Sequence, residues 1–124
     1  MNNLKLASLT LLALLSLLVL HIYGMSRHLY LNIWYYDVIM HLLGGVGIAL
    51  ATLYVLKNPK YIIIATFVMG IVWELFEVYF NLTGYVVGTM PYTIDTTKDL
   101  IMDTLGAFFV WYVVRRDKRN TIEK

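Results

Sequence analysis

The sequence predicts an all-α fold, a four-transmembrane-helix bundle that forms one integral-membrane domain. Three observations carry that prediction. The first is composition: of 124 residues, 60% are apolar and 15% charged, with a mean hydropathy of +0.68. An average soluble domain holds ~45–50% apolar and ~25% charged residues. A chain this short buries only about two-thirds of its surface in water, so so much hydrocarbon would stay wet. The second is the gathering of the apolar residues into four long runs, and the third is where the basic residues fall between those runs. The length fits one domain. Scarce proline and glycine amid high apolar content exclude disorder. The absence of cysteine excludes disulfides, thiolate nucleophiles and zinc–sulfur sites.

The first run, residues 4–23, is Leu-rich, and residues 6–26 carry no Asp, Glu, Lys or Arg. At ~1.5 Å per residue it is about long enough to cross ~30 Å of hydrocarbon. Its long apolar stretch and the following HIYGMSR offer no small-x-small cleavage site, so it reads as a retained span rather than a secretory signal. The second run covers 37–56 and ends at Lys57-Asn58-Pro59-Lys60, a tight turn. The third, 61–80, is interrupted by Glu74 and Glu77. Asn81, Gly84, Gly88 and Pro91 then mark a loop, with 84–94 either a lid or a plain connector. The fourth covers 96–114 and stops before Arg115-Arg116-Asp117-Lys118-Arg119, so the tail 115–124 is expected to be solvated and partly disordered. In lipid only helices satisfy their own backbone over such runs, because a barrel needs short alternating strands.

Four spans put both termini on one side. That side then holds Lys5, Lys57, Lys60, Arg115, Arg116, Lys118, Arg119 and Lys124, against Arg27 and Lys98 on the other. The bias assigns the termini to the cytoplasm and the chain to the cell membrane. Trp34, Tyr35, Tyr36, Tyr79, Phe80, Tyr85 and Tyr92 fall at the outer interface, and Tyr54, Tyr61, Trp111 and Tyr112 near the inner one. No nucleic-acid partner is expected. The bilayer is the expected surround, and a homo-oligomer stays open.

The acids obey this topology without having been used to build it. Asp37, Glu74, Glu77, Asp95, Asp99 and Asp103, with His41, all fall in the outer half of three consecutive spans. Asp37 and His41 are i,i+4, Glu74 and Glu77 are i,i+3, and Asp95, Asp99 and Asp103 step by four, so each set shares one helix face. Gly44, Gly45, Gly47, Gly70 and Gly106 continue those faces and permit close helix approach. An ionised group in mid-membrane costs ~2.5–3.5 kcal/mol on insertion scales. Converging carboxylates must therefore bind cations, hold protons or admit water. Oxygen ligands with one imidazole suit Mg, Mn, Ca or Fe, and Zn as well. The expected site is a one- or two-metal centre of Asp37, His41, Glu74, Glu77, Asp99 and Asp103, with Asp95 at its rim.

Blander roles compete at several of these positions. Asp37 sits where a helix start favours an anion. Asp95 or Thr96 reads as an N-cap, and Thr96 with Asp99 resembles a capping box. His41 alone would be a hydrogen-bonded core histidine; Asp37 one turn away brings the ligand reading level with it. Glu74, Glu77 and Asp103 have no comparable structural excuse, and an ionisable group inside a span is functional by default. His21 and His28 read as interfacial, Trp73 and the methionines as packing.

The motifs Tyr36-Asp37-x3-His41-x2-Gly44, Trp73-Glu74-x2-Glu77 and Asp95-Thr96-x2-Asp99-x3-Asp103-x2-Gly106-Ala107 together resemble the YjdF-type family of small prokaryotic membrane proteins, and more distantly VanZ-like proteins. The resemblance spans about residues 36–110. It maps the YjdF-type Asp-x3-His, Glu-x2-Glu and Asp-x3-Asp patterns onto Asp37/His41, Glu74/Glu77 and Asp95/Asp99, while Asp103 stands where VanZ-like proteins carry Asn. The VanZ-like likeness implies a loose connection with the cell envelope.

The leading functional expectation is an outward-facing, acidic, metal-binding intramembrane pocket that acts on a lipid headgroup or lipid-linked substrate. Metals would polarise an oxygen or activate water, with Glu74 or Glu77 as general base. Two other classes stay open: a structural or accessory membrane protein whose acids pair with a partner, and a cation or proton transport subunit. The apolar sequence below Gly70 and Gly106 counts against the last.

Overall fold

The computed structural model describes residues 3–122, with side chains through residue 117. Among these residues it is all-helical: α1 Asn3–Ser26, α2 Leu29–Asn32, α3 Tyr36–Leu56, a 3-10 turn Pro59–Tyr61, α4 Ile62–Tyr79 and α5 Met90–Ile122. Three segments are long and apolar enough to cross a membrane, namely α1, α3 and Pro59–Tyr79. The fourth long helix, α5, has 33 residues but carries Lys98, Asp99 and Asp103 within its apolar stretch. That is why composition alone does not mark it as a span. A multi-pass membrane location fits this architecture.

Each helix ends for a local reason. α3 stops at Lys57, whose φ of 52° is left-handed and whose N–H returns to the Leu53 carbonyl. Pro59 then opens the 3-10 turn, and the Asn58 side chain accepts the Lys60 N–H at 3.1 Å. This is the tight turn expected there. Gly84 and Gly88, at φ 67° and 85°, supply the left-handed corners of the α4–α5 loop. α5 begins at Met90 with Pro91 in its first turn, where the missing N–H costs nothing.

Two expectations are corrected here. Asp95 and Thr96 do not cap the fourth helix, because it starts at Met90 and places both inside its second turn. The capping box with Asp99 disappears for the same reason, and the connector shortens at its C-terminal end. α5 continues as helix past the expected span end, to Ile122. The side chains of Lys118, Arg119 and Lys124, and the last residues of the tail, lie outside the described residues.

The long helices run up, down, up, down. Leu6, Ala49, Leu53, Ile62, Ala107 and Val110 form a buried cluster at the end away from the acids. α3 is the hub and packs against α1, α4 and α5, whereas the backbones of α1 and α4 do not approach each other among the described residues. Glycines set the closest contact. A Cβ on Gly45 would collide with the Asp103 backbone, and one on Gly106 with the Leu42 carbonyl. α3 and α5 therefore meet backbone to backbone at the floor of the acidic region, as small residues in lipid allow.

α1 holds to α3 through aromatic contacts. The Tyr36 hydroxyl donates to the Leu20 carbonyl at 2.6 Å, and the Tyr36 ring lies where a Gly24 Cβ would be. Tyr36→Phe should cost about 1 kcal/mol, the net worth of one such bond. Denaturant titration in detergent micelles checks this; a loss indistinguishable from zero would mean that α1 docks by apolar contact alone.

Candidate metal centre

α3 presents Asp37 and His41 one turn apart, and α5 presents Asp99 and Asp103 one turn apart, across the glycine contact. His41 is buried between them. Its Nδ1 lies 3.3 Å from Asp103 Oδ2, while its Nε2 faces Asp37 Oδ1 at 3.7 Å and Asp99 Oδ2 at 4.0 Å. The ring thus has one nitrogen tied to a carboxylate and the other aimed at two more. One atom each from Asp37, His41 and Asp99 lie within 4.8 Å of one another. Distances of 3.7 and 4.0 Å are too long for hydrogen bonds. Ligand atoms ~2.0–2.6 Å from a shared ion, by contrast, lie roughly 3–4 Å apart.

Asp103 fits because two glycines leave room for it. Its carboxylate would stand 2.8 Å from a Cβ on Gly70 and 3.6 Å from one on Gly44. Asp99 is 2% exposed, and its Oδ1 has no hydrogen-bond partner. Lys98 Nζ lies 3.5 Å from that oxygen, 3.8 Å from Asp37 Oδ2 and 2.6 Å from Asp95 Oδ1. One ammonium therefore spans three of the six acids, with Asp95 as its hydrogen-bonded partner.

The two glutamates are held separately. Glu74 is buried; its Oε2 accepts the Thr96 hydroxyl at 2.7 Å, and its Oε1 has no partner. Glu77 is half-buried and accepts the Trp73 indole N–H at 2.9 Å. Neither joins the three-residue group of Asp37, His41 and Asp99, and neither does Asp95. All seven residues singled out in the sequence nonetheless occupy one end of the α3–α4–α5 packing. Spacing did not reveal the clamps on them: Thr96 on Glu74, Trp73 on Glu77 and Lys98 on Asp95. Trp73–Glu77 and Asp95–Lys98 are i,i+4 and i,i+3 neighbours on single helices, whereas Thr96 reaches Glu74 from another helix, where single-helix periodicity carries no information.

A cavity of about 400 Å³ adjoins the centre between α1, α3 and α4. Leu14, Ile48 and Met69 line its deep end, and His21, Tyr30, Asp37 and Glu77 its other end. His21 Nδ1 and the Tyr30 hydroxyl are hydrogen-bonded at 2.8 Å. Burial, with Tyr36, Asp37 and Glu77 nearby, pushes the Tyr30 phenol above its ordinary pKa, so it stays protonated. Neither its role nor that of His21 was legible in sequence, where His21 looked interfacial.

A protein-family model described as "Predicted membrane protein (DUF2238)" matches residues 1–120. No curated protein and no solved structure matches.

Proposed function

The chain belongs to the DUF2238 family of predicted membrane proteins, and we propose that it spans the membrane four times and holds a divalent metal ion near the outer surface. The match accords with the YjdF-type resemblance of the three motifs; it lends nothing to the VanZ-like one. The termini are cytoplasmic by the distribution of basic residues.

One observation carries the metal reading: His41 pairs through Nδ1 with Asp103 and turns Nε2 toward Asp37 and Asp99. A neutral imidazole that donates its proton to Asp103 leaves three lone-pair donors facing one point. Carboxylate–histidine–metal arrangements have this form, with the carboxylate orienting the ring. Asp37, His41 and Asp99 would be the ligands and Asp103 the positioning residue. Lys98 offsets part of the remaining negative charge.

The reaction we assign is metal-dependent hydrolysis of a phosphoryl or carboxylic ester of a lipid or lipid-linked substrate, in which water would add to the phosphorus or carbonyl carbon, the ester bond would break and the alcohol would leave with the water's proton. A bound ion would polarise the ester oxygen or activate water. Glu74 is the better general base of the two glutamates, because it is the more buried and its Oε1 has no hydrogen-bond partner. Transport is disfavoured by the apolar cluster of Leu6, Ala49, Leu53, Ile62, Ala107 and Val110 in the other half of the packing.

The test is equilibrium dialysis of detergent-purified protein against Mg, Mn, Ca, Fe(II) and Zn. It is followed by incubation with total membrane lipid and mass spectrometry of the products. The expected outcome is one ion per chain and a metal-dependent conversion of one lipid class that Glu74→Gln abolishes. Protein that binds none of the ions and converts no lipid would overturn the proposal.

A further inference from the structure

The cavity beside the metal centre has a chemistry of its own. It lies between α1 and α4, whose backbones stay apart, with α3 as its floor. Trp73 and Phe76 line it, and both remain exposed, so the space opens sideways from the packed helices. Its polarity is graded along the helix axes. From Glu77 to Met69 on α4 is eight residues, or roughly 12 Å. Over that length the walls change from acid and aromatic to mostly apolar: Leu14 and Leu17 from α1, Ile48 from α3 and Met69 from α4, with the Asp103 carboxylate beside Gly70 as the acid at that depth.

The polar end is selective in charge. Asp37 and Glu77 reach it, together with His21 and His41, and among the described residues no lysine or arginine lines it. Lys98 ties up Asp37, Asp95 and Asp99 but is not among the lining residues. Trp73 stacks on Phe76 with ring centroids 5.2 Å apart, and the His21 ring meets Trp73 edge-on at 6.1 Å. Aromatic faces beside carboxylates in a site shielded from water are the setting in which an ammonium is bound best. An anionic head would meet like charge there. A cavity of about 400 Å³ is within the usual range for one bound ligand.

We propose that this cavity is a binding site for a membrane lipid whose head ends in an ammonium group. One acyl chain would lie along Leu17, Ile48 and Met69, and the ammonium would sit against Glu77 and Trp73. The site gives Glu77 a role that the metal ligands leave vacant, and it does not depend on a metal being bound.

The test uses the full chain in nanodiscs of equimolar dioleoyl phosphatidylethanolamine and dioleoyl phosphatidylglycerol, with EDTA present. The two lipids share chains and phosphate and differ in the ammonium. Native mass spectrometry of the released protein counts the lipid that stays bound. The expected ratio is about tenfold in favour of the ethanolamine lipid, the worth of one charge-assisted contact. Glu77→Gln should bring the ratio near one. Gly44→Leu should remove the retained lipid altogether, because Gly44 lines the cavity and a Cβ there meets its nearest neighbour at 3.6 Å. Equal retention of both lipids by the unaltered chain, or a preference for the glycerol lipid, would overturn the proposal whatever the variants do. A tenfold preference that survives both substitutions would place the lipid elsewhere and overturn it too. Since EDTA is present throughout, failure here is separate from failure of the metal reading.

Discussion

Gly106→Leu will destabilise the fold by ~3 kcal/mol or more, the upper range for overpacking a close contact. At this position a Cβ would overlap the Leu42 carbonyl and stand 2.9 Å from the Val46 amide nitrogen. Both are backbone atoms of α3 and cannot swing aside, so the two helices must separate. Separation would also pull Asp99 and Asp103 away from His41, since all three sit on the same pair of helices. Gly47→Ala is the matched control. Its Cβ meets only a Leu14 methyl at 3.3 Å, the mobile end of a side chain, and should cost less than about 1 kcal/mol. Denaturant titration of both variants in detergent micelles reads the difference. Equal losses would show that α3 and α5 do not meet at their backbones.

Asp99→Asn will separate binding from stability. Changing an outer-sphere residue of a metal site typically weakens binding ~10–100-fold, and loss of a direct ligand should exceed that. We expect at least a hundredfold weaker binding of the preferred ion by equilibrium dialysis. Without metal the same variant should be as stable as the parent, or more so. Asp99 is a buried carboxylate whose Oδ1 has no hydrogen-bond partner, and neutralising an under-compensated buried charge removes a cost. Lys98 keeps Asp95 and Asp37 as partners. Asp95→Asn, outside the three-residue group and already paired with Lys98, should change metal affinity by less than about threefold, the scale of a partly exposed ion pair. If Asp99→Asn loses stability and metal affinity in parallel, the carboxylate is structural and His41 is a packed core histidine.

The corrected start of α5 bears on this choice. An N-cap role would have explained Asp95 and Asp99 without any ligand, through the unpaired N–H groups of a first turn. With the helix opening at Met90, those groups lie further up the chain. Asp99 and Asp103 are left deep against α3 with no helix terminus to serve. The capping reading failed because Pro91 looked like a loop residue, whereas proline is well tolerated in the first turn. Pattern alone could not tell these apart, since the residues between Gly88 and Thr96 carry little apolar periodicity.

The sequence by itself determined the class of protein, the three long apolar helices and the end at which the acids gather. Those properties follow from hydrocarbon content and from spacing along single helices, and both are local quantities. Asp37 with His41, and Asp99 with Asp103, were each legible as one-face pairs. Tertiary structure decided which acids meet. His41 stands among Asp37, Asp99 and Asp103, while Glu74, Glu77 and Asp95 are held by Thr96, Trp73 and Lys98. The grouping around His41 and the Thr96 contact with Glu74 depend on how helices rotate and slide against one another, whereas Trp73–Glu77 and Asp95–Lys98 are pairs within one helix. Here glycine contacts at Gly45 and Gly106 set the register, and no single-helix period encodes it. The same holds for the cavity, which exists because α1 packs on α3 and stops short of α4.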